Sequence, residues 1–313
     1  MQFTRTKKLA FFNNKVGKTT IAYNTAVKFA EHGYKTVLVD LDAQCNLSRL
    51  ALGESFDNSL FSGIDNNIFI LKITQADVNT SIKPIPISTN LSIIPSLKLS
   101  RYENLLITAY NQAAAEIYFQ TSAISRYLSQ LLDDDIDLFV IDLSPNLLLN
   151  RIVLLVDYFI TPLMPDAFSL QVENLTTLEE RKRNRKNTGK ALASAIPNEQ
   201  VLNELFIYIL NSYNQYSKRP IKSHQEWIEQ IPAIKQHISE KHCKNLVEKS
   251  WKNALEYLKD YGELSADSHI HNKAIFNLTP ADFKSVKTIE NLDLSKQQFE
   301  SLYHNIEQIL LHY

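Results

Sequence analysis

Lys8-Leu9-Ala10-Phe11-Phe12-Asn13-Asn14-Lys15-Val16-Gly17-Lys18-Thr19-Thr20 is the stretch on which the reading of this chain turns. Its first five residues make a short, nearly all-apolar run, which suits a strand buried on both faces of a parallel sheet. From Thr19 to His32 apolar residues return at helical spacing, with Ala22, Ala26 and Ala30 in one row, Tyr23 and Val27 beside it, and Gly33 at the expected C-cap. Thr36-Val37-Leu38-Val39 reads as a second buried strand, ending in Asp40-Leu41-Asp42. Strand, loop, helix and strand in this order make a βαβ unit. Val16-Gly17-Lys18-Thr19-Thr20 falls between its first strand and its helix, where a phosphate-binding loop belongs. Backbone N–H groups and the helix N-terminus hold phosphate oxygens in such a loop; Lys18 adds positive charge and the Thr19 hydroxyl ligates Mg²⁺.

The pattern recurs along the chain. Leu91-Ser92-Ile93-Ile94-Pro95 reads as a short strand, Ile124 to Leu132 as a helix, and Leu138-Phe139-Val140-Ile141 as a central strand ending at Asp142. Tyr158–Pro162 and Leu205–Leu210 look like two more strands. Alternating helices and all-apolar strands imply an α/β fold, a mostly parallel twisted sheet with helices on both faces and ligands at the strands' C-terminal ends. Asn13, Asp40, Asp42 and Asp142 fall at those ends. Residues 217 to 262 are polar and mainly helical in pattern, so they read as a helical insertion within one domain spanning 1–313. Ala274–Leu278 is a candidate edge strand, and Leu294 to Tyr313 a closing helix.

A chain of 313 residues with 44% hydrophobic and 21% charged residues has enough apolar content for a large core. Its formal net charge of -1 excludes a global basic field, so any hold on nucleic acid or anionic lipid must come from a local patch. The two cysteines, Cys45 and Cys243, lie far apart, which argues against a disulfide framework, a zinc site or an iron–sulfur cluster and suits a reducing compartment. With no apolar run near the length of a membrane span, a cytoplasmic location is expected.

These motifs resemble the ParA/MinD family of deviant Walker-A P-loop ATPases, whose loop reads N-x-K-G-G-V-G-K-T-T. Here Asn13-Asn14-Lys15 runs directly into Val16-Gly17-Lys18-Thr19-Thr20, so the two consecutive glycines are missing. On this gapped alignment Lys15 is similar to the family's signature lysine, which reaches across a dimer, and Lys18 is the ordinary P-loop lysine. An ungapped alignment would put Asn13 at the signature lysine; the gap keeps both lysines. Asp40-Leu41-Asp42-Ala43-Gln44-Cys45-Asn46 resembles D-x-D-P-Q-x-N with Ala43 in place of proline. The resemblance implies that Asp42 positions the attacking water and metal shell, with Asp40 in support; two carboxylates after a strand also suit a turn and helix cap. Asp142-Leu143-Ser144-Pro145 resembles the Walker-B end, D-x-x-P, and implies a Mg²⁺ contact from Asp142. Pro162–Asp166 with Ser169 resembles the next strand end. Asn211 matches the position that contacts adenine, although Asn after a strand is more often a turn residue.

The resemblance thus implies ATP and Mg²⁺ as cofactors, a homodimer and a regulatory protein partner. Catalysis would fall to Lys15, Lys18 and Asp42, nucleotide contact to Val16, Gly17, Lys18, Thr19, Thr20 and Asn211, and metal contact to Thr19, Asp42 and Asp142. The missing glycines have a physical cost. Four residues between Asn13 and Lys18 span about 13 to 14 Å fully extended, where six would span about 20 Å. The loop also loses two flexible positions and two N–H donors, so nucleotide binding is expected to be weakened and hydrolysis impaired. A nucleotide-independent dimeric scaffold on the same fold is the alternative.

Arg181, Lys182, Arg183, Arg185, Lys186 and Lys190 form the one dense basic cluster, a candidate for non-specific DNA or simply a solvated helix end. The last helix carries an apolar stripe of Leu294, Phe299, Leu302, Tyr303, Ile306, Ile309 and Leu310. Its polar face is too acidic for a membrane surface, so packing on the core is expected. His269-Ile270-His271 has no cysteine support and receives no metal role. All of this requires Lys18 and Thr19 to face the carboxylates at 42 and 142.

Overall fold

The computed structural model describes residues 3–11, 17–42, 44–59, 84–96, 135–143, 158–163, 206–213, 215–216, 219–220, 255–259, 261–283 and 288–312. The chain divides into two compact units, one of Met1–Asn14, Lys18–Phe159 and Tyr261–Tyr313, the other of Lys15–Gly17 and Ile160–Asp260.

In the first unit β1 (Lys7–Phe11) leads to α1 (Lys18–Glu31) and β2 (Thr36–Leu41), followed by the short helices α2 (Asn46–Leu52) and α3 (Glu54–Ser59). The hairpin β3 (Ile85–Ser88) and β4 (Leu91–Ile94) and the strand β5 (Leu138–Leu143) complete a sheet ordered β3-β4-β2-β5-β1. All its pairings are parallel except β3 with β4. Every residue of β2 and of β5 is buried, as the all-apolar runs require for strands covered on both faces. Both strands run further than periodicity suggests, so Asp40 and Asp142 lie inside them and face each other in register. The same register sets Phe11 beside Asp142, which levels the ends of β1, β2 and β5.

The end of α1 follows the C-cap expectation. Gly33 has φ +91°, its N–H bonds to the Ala30 carbonyl at 3.1 Å, and the Tyr34 N–H bonds to the Phe29 carbonyl at 3.0 Å. This is a Schellman arrangement, and the apolar contact that accompanies it is the Phe29–Tyr34 ring pair at 5.4 Å. After β5 the unit resumes with α4 (Glu263–His271), a 3-10 turn at Ile275–Asn277 and the long α5 (Thr288–His312). The stripe on α5 does pack on the core: Phe299, Leu302, Tyr303, Ile306 and Leu310 are buried, and Tyr303 meets Phe29 edge-on at 4.8 Å. Among the described residues no helix is long and apolar enough to cross a membrane.

One expectation needs correction. Ala274–Leu278 is not an edge strand; the Ile275 N–H is taken by the Asn24 side chain at 2.8 Å, and the chain coils into the 3-10 turn. Most of the segment from 217 to 262, expected to be mainly helical, lies outside the described residues, and strands stand at its two ends. β9 (Arg219–Pro220) pairs with β8 (Gln215–Tyr216), and β10 (Leu255–Lys259) pairs in parallel with β7 (Phe206–Tyr213), all in the second unit. β6 (Tyr158–Leu163) crosses the division between the units. The expected helix at 124–132 lies outside the described residues.

A methyl group added at Gly33 would meet nothing within 4 Å, so Gly33→Ala tests the backbone alone. The substitution is expected to lower stability by about 1–2 kcal/mol, the cost of a left-handed non-glycine residue, read as a lower urea midpoint with unchanged slope.

Candidate nucleotide site

The parallel register brings acidic residues to one edge of the sheet, and α1 brings one cation to meet them. Lys18, at the first turn of α1, is only 6% exposed. Its Nζ donates to Asp42 Oδ2 at 3.0 Å and to the Leu143 carbonyl, and lies 2.8 Å from Asp142 Oδ1. Three oxygens thus surround the ammonium, two as hydrogen-bond acceptors and Asp142 Oδ1 as an ion-pair partner. Beside it, the Thr19 hydroxyl donates to Asp142 Oδ2 at 2.8 Å. Gly17, just before the helix, holds φ +72°, a left-handed turn that lets the chain enter α1 without a Cβ clash.

Asp40 is held by a separate network. Its Oδ2 accepts from the Ser48 N–H at 2.8 Å and the Ser48 hydroxyl at 2.6 Å, and its Oδ1 from the Asp42 N–H at 3.0 Å. Ser48 Oγ in turn accepts from the Ser96 N–H at 2.9 Å, tying α2 to the end of β4. Asp42 caps its own turn, with Oδ1 accepting from the Gln44 N–H at 3.0 Å. The Asp40 side chain therefore fixes the backbone that aims Asp42 at Lys18.

Electrostatics follow from burial. Desolvation alone would lower the Lys18 pKa, but Asp142 and Asp42 outweigh it and hold it above its ordinary value. Complete burial pushes Asp142 up, with Lys18 and the Thr19 hydroxyl opposing. Burial, then the charge of Asp142 on the neighbouring strand, raises Asp40 to about 7, against the Ser48 and Asp42 hydrogen bonds. One ammonium among three acidic side chains leaves the site short of positive charge.

That deficit, together with the Thr19 hydroxyl on Asp142 and an Asp142 Oδ1 that has the Lys18 charge beside it but no hydrogen bond, is chemistry that fits Mg²⁺. Among the described residues no three His, Cys, Asp or Glu side chains are grouped to hold a metal ion. The structure thus gathers Lys18, Thr19, Asp42 and Asp142. Thr20 stands one residue further on, its hydroxyl 3.3 Å from His269 Nε2. Lys15, Val16 and the cluster Arg181 to Lys190 lie outside the described residues. Asn211 lies within β7 rather than beyond it, because that strand continues to Tyr213. Ser48, Ser96 and His269 belong to no motif, and Leu143 fills an unspecified position of one; only the solitary serine among the apolar positions of α2 hints at Ser48.

Lys18→Ala leaves buried carboxylates without their cation and is expected to cost about 3–5 kcal/mol in chemical unfolding without nucleotide. A second expectation concerns pH. With its pKa raised from 3.8 to about 7, Asp40 holds its proton more tightly in the folded state, so its contribution falls as pH rises between those values. Asp40→Asn loses a hydrogen-bond acceptor and overall stability, yet its thermal midpoint is expected to fall less steeply than the wild type's from pH 4 to 7.

Comparison with known proteins agrees with this geometry. The family AAA_31, described as an AAA domain, matches residues 6–214. The chain is 35% identical over 229 residues to an uncharacterized protein of Methanocaldococcus jannaschii, covering 70% of this chain and 77% of that protein. It is 31% identical over 193 residues to the chromosome-partitioning ATPase Soj of Treponema pallidum, covering 60% of this chain and 68% of Soj. Among solved structures, a Borrelia burgdorferi B31 protein described as a plasmid partition protein and bound to AMPPNP has the same fold. Its TM-score is 0.60 at 19% identity, over 93% of this chain and 100% of that one. With a lysine at the start of α1 set among strand-end carboxylates, and these relatives beside it, the chain belongs to the AAA_31, ParA/Soj-like family of P-loop ATPases.

Proposed function

We propose that this chain is an ATP-binding dimeric switch of a partition or positioning process, with hydrolysis slowed by its shortened phosphate loop. The observation that carries the reading is the double ion pair of Lys18 with Asp42 and Asp142. It joins the cation that would bind phosphate to the acidic groups that a Mg²⁺–phosphate complex would need. A triphosphate competes for Lys18, and the released carboxylates become available to a metal.

Thr19, Asp42 and Asp142 would hold Mg²⁺, which supplies charge neutralisation between phosphate oxygens. Lys18 binds and orients the phosphate, Thr20 and the N–H groups of the first turn of α1 add donors, and Asp42 orients the attacking water. Lys15 would act from the opposite protomer, and Asn211 on the adenine. Because Lys18 also holds the Leu143 carbonyl, its departure would release the end of β5. Non-specific DNA, through Arg181, Lys182, Arg183, Arg185, Lys186 and Lys190, and a regulatory protein are the partners this reading assigns.

A second reading has its own support. Lys18 is ion-paired with two carboxylates of the protein, so the fold does not need nucleotide to neutralise it, as a nucleotide-independent scaffold would require. Titration with Mg²⁺ and AMPPNP, followed by calorimetry and sedimentation, separates the two. The proposal expects weak binding by the wild type and binding about tenfold or more tighter, with dimer formation, when two glycines are inserted after Lys15. No binding by either protein would favour the scaffold, and turnover of Mg²⁺–ATP by the wild type equal to the insertion variant's would refute the claim about the loop.

A further inference from the structure

The histidine pair 269–271 takes no part in the ion pairs around Lys18, yet the fold sets one of its members against the phosphate-facing helix. His269 Nε2 is 3.3 Å from the Thr20 hydroxyl, across 249 positions of sequence. The approach is built rather than incidental, because two further ties join the same segment to the next turn of α1. The Tyr23 hydroxyl donates to the Asn272 carbonyl at 3.4 Å, and Asn24 accepts from the Ile275 N–H at 2.8 Å while donating to the Thr20 carbonyl at 2.7 Å. Asn272 ends α4 in a left-handed conformation at φ +52°, and the Ser268 hydroxyl closes that end by donating to the Lys273 carbonyl at 2.6 Å. The turn carrying His269 is therefore fixed relative to Thr20.

A hydroxyl has one proton to donate, so the neighbour it meets decides where that proton goes. If His269 accepts from Thr20, the hydroxyl proton is lost to an incoming anion. If His269 donates, the proton is free to point at the phosphate. Desolvation lowers the His269 pKa and so favours a neutral ring, which carries a single N–H. We propose that His269 is a positioning residue of the nucleotide site, whose Nε2–H donates to the Thr20 oxygen and turns the Thr20 hydroxyl proton toward bound phosphate. The inference rests on the reading of the α1 N-terminus as a phosphate site, and extends it to a residue from the far end of the chain. It also gives the neutral histidine a reason to remain next to a helix N-terminus, where a cation would compete with Lys18 for the same oxygens.

The test is AMPPNP affinity in the presence of Mg²⁺, measured by calorimetry for a small set of variants. His269→Ala is expected to weaken binding about 5- to 10-fold, the worth of one neutral hydrogen bond. His269→Gln, whose amide N–H can donate, should restore most of it; His269→Glu, an acceptor, should not. Thr20→Ala should weaken binding on its own, and adding His269→Ala to it should change nothing further. Equal affinity of wild type and His269→Ala, or additive losses in the double variant, would overturn the proposal while leaving the phosphate site standing. Absence of AMPPNP binding by the wild type and by the chain with two glycines inserted would overturn the site reading and this inference together.

Discussion

A lysine ammonium removed from water is the constraint around which this unit is organised. Lys18 cannot stay charged at 6% exposure unless oxygen atoms replace its hydration, and the fold supplies them from two strand ends and one carbonyl. Each of those oxygens depends on something further out. Asp142 is placed by the register of β5 with β1 and β2, and Asp42 by the turn that follows β2. Asp40 braces that turn through the Asp42 N–H, and α2 and the end of β4 brace Asp40 through Ser48 and Ser96. A small change in any of these elements reaches Lys18 through a short chain of hydrogen bonds.

The same arrangement leaves more acid than cation. Asp42 and Asp142 share the one ammonium of Lys18, while Asp40, buried beside Asp142 and outside that ion pair, is pushed up to about 7. A ligand that brings phosphate together with a divalent cation would satisfy both sides of this imbalance at once. The lysine would gain a better anion, and the carboxylates a better cation. Family membership and internal electrostatics therefore point to the same class of ligand by independent routes.

How much of this is legible in the sequence differs from element to element. The β1–α1–β2 unit is plain because its strands are uninterrupted apolar runs and its helix ends in a glycine that must take positive φ. The meeting of Lys18 with Asp42 and Asp142 is legible as motif, since strand-end carboxylates beside a Gly-Lys-Thr turn have few other arrangements. The pairing of Asp40 with Asp142 is not, because periodicity does not say which strands are neighbours or in what register. Ala274–Leu278 misleads for a related reason. A five-residue apolar run fits a strand or a coil, and what decides between them is the Asn24 side chain, 251 positions away. Leu255–Lys259 is hidden because its polar neighbours resemble a helix surface, while the β7 ladder that claims it is a non-local contact. His269 lacks the spacing of a metal ligand, and its contact with Thr20 is equally invisible to spacing rules.

The missing glycines set this chain apart from the loop pattern it resembles, while Lys18, Thr19, Asp42 and Asp142 are brought together. On the proposed reading, the acidic half of the site is in place and the phosphate loop is two residues shorter than that pattern. A crystal structure of the protein with Mg²⁺ and AMPPNP tests this most directly. The account predicts that Lys18 Nζ leaves Asp142 for a phosphate oxygen and that the Thr19 hydroxyl turns to the metal. Lys18 still bridging Asp42 and Asp142, with nucleotide bound elsewhere, would contradict it.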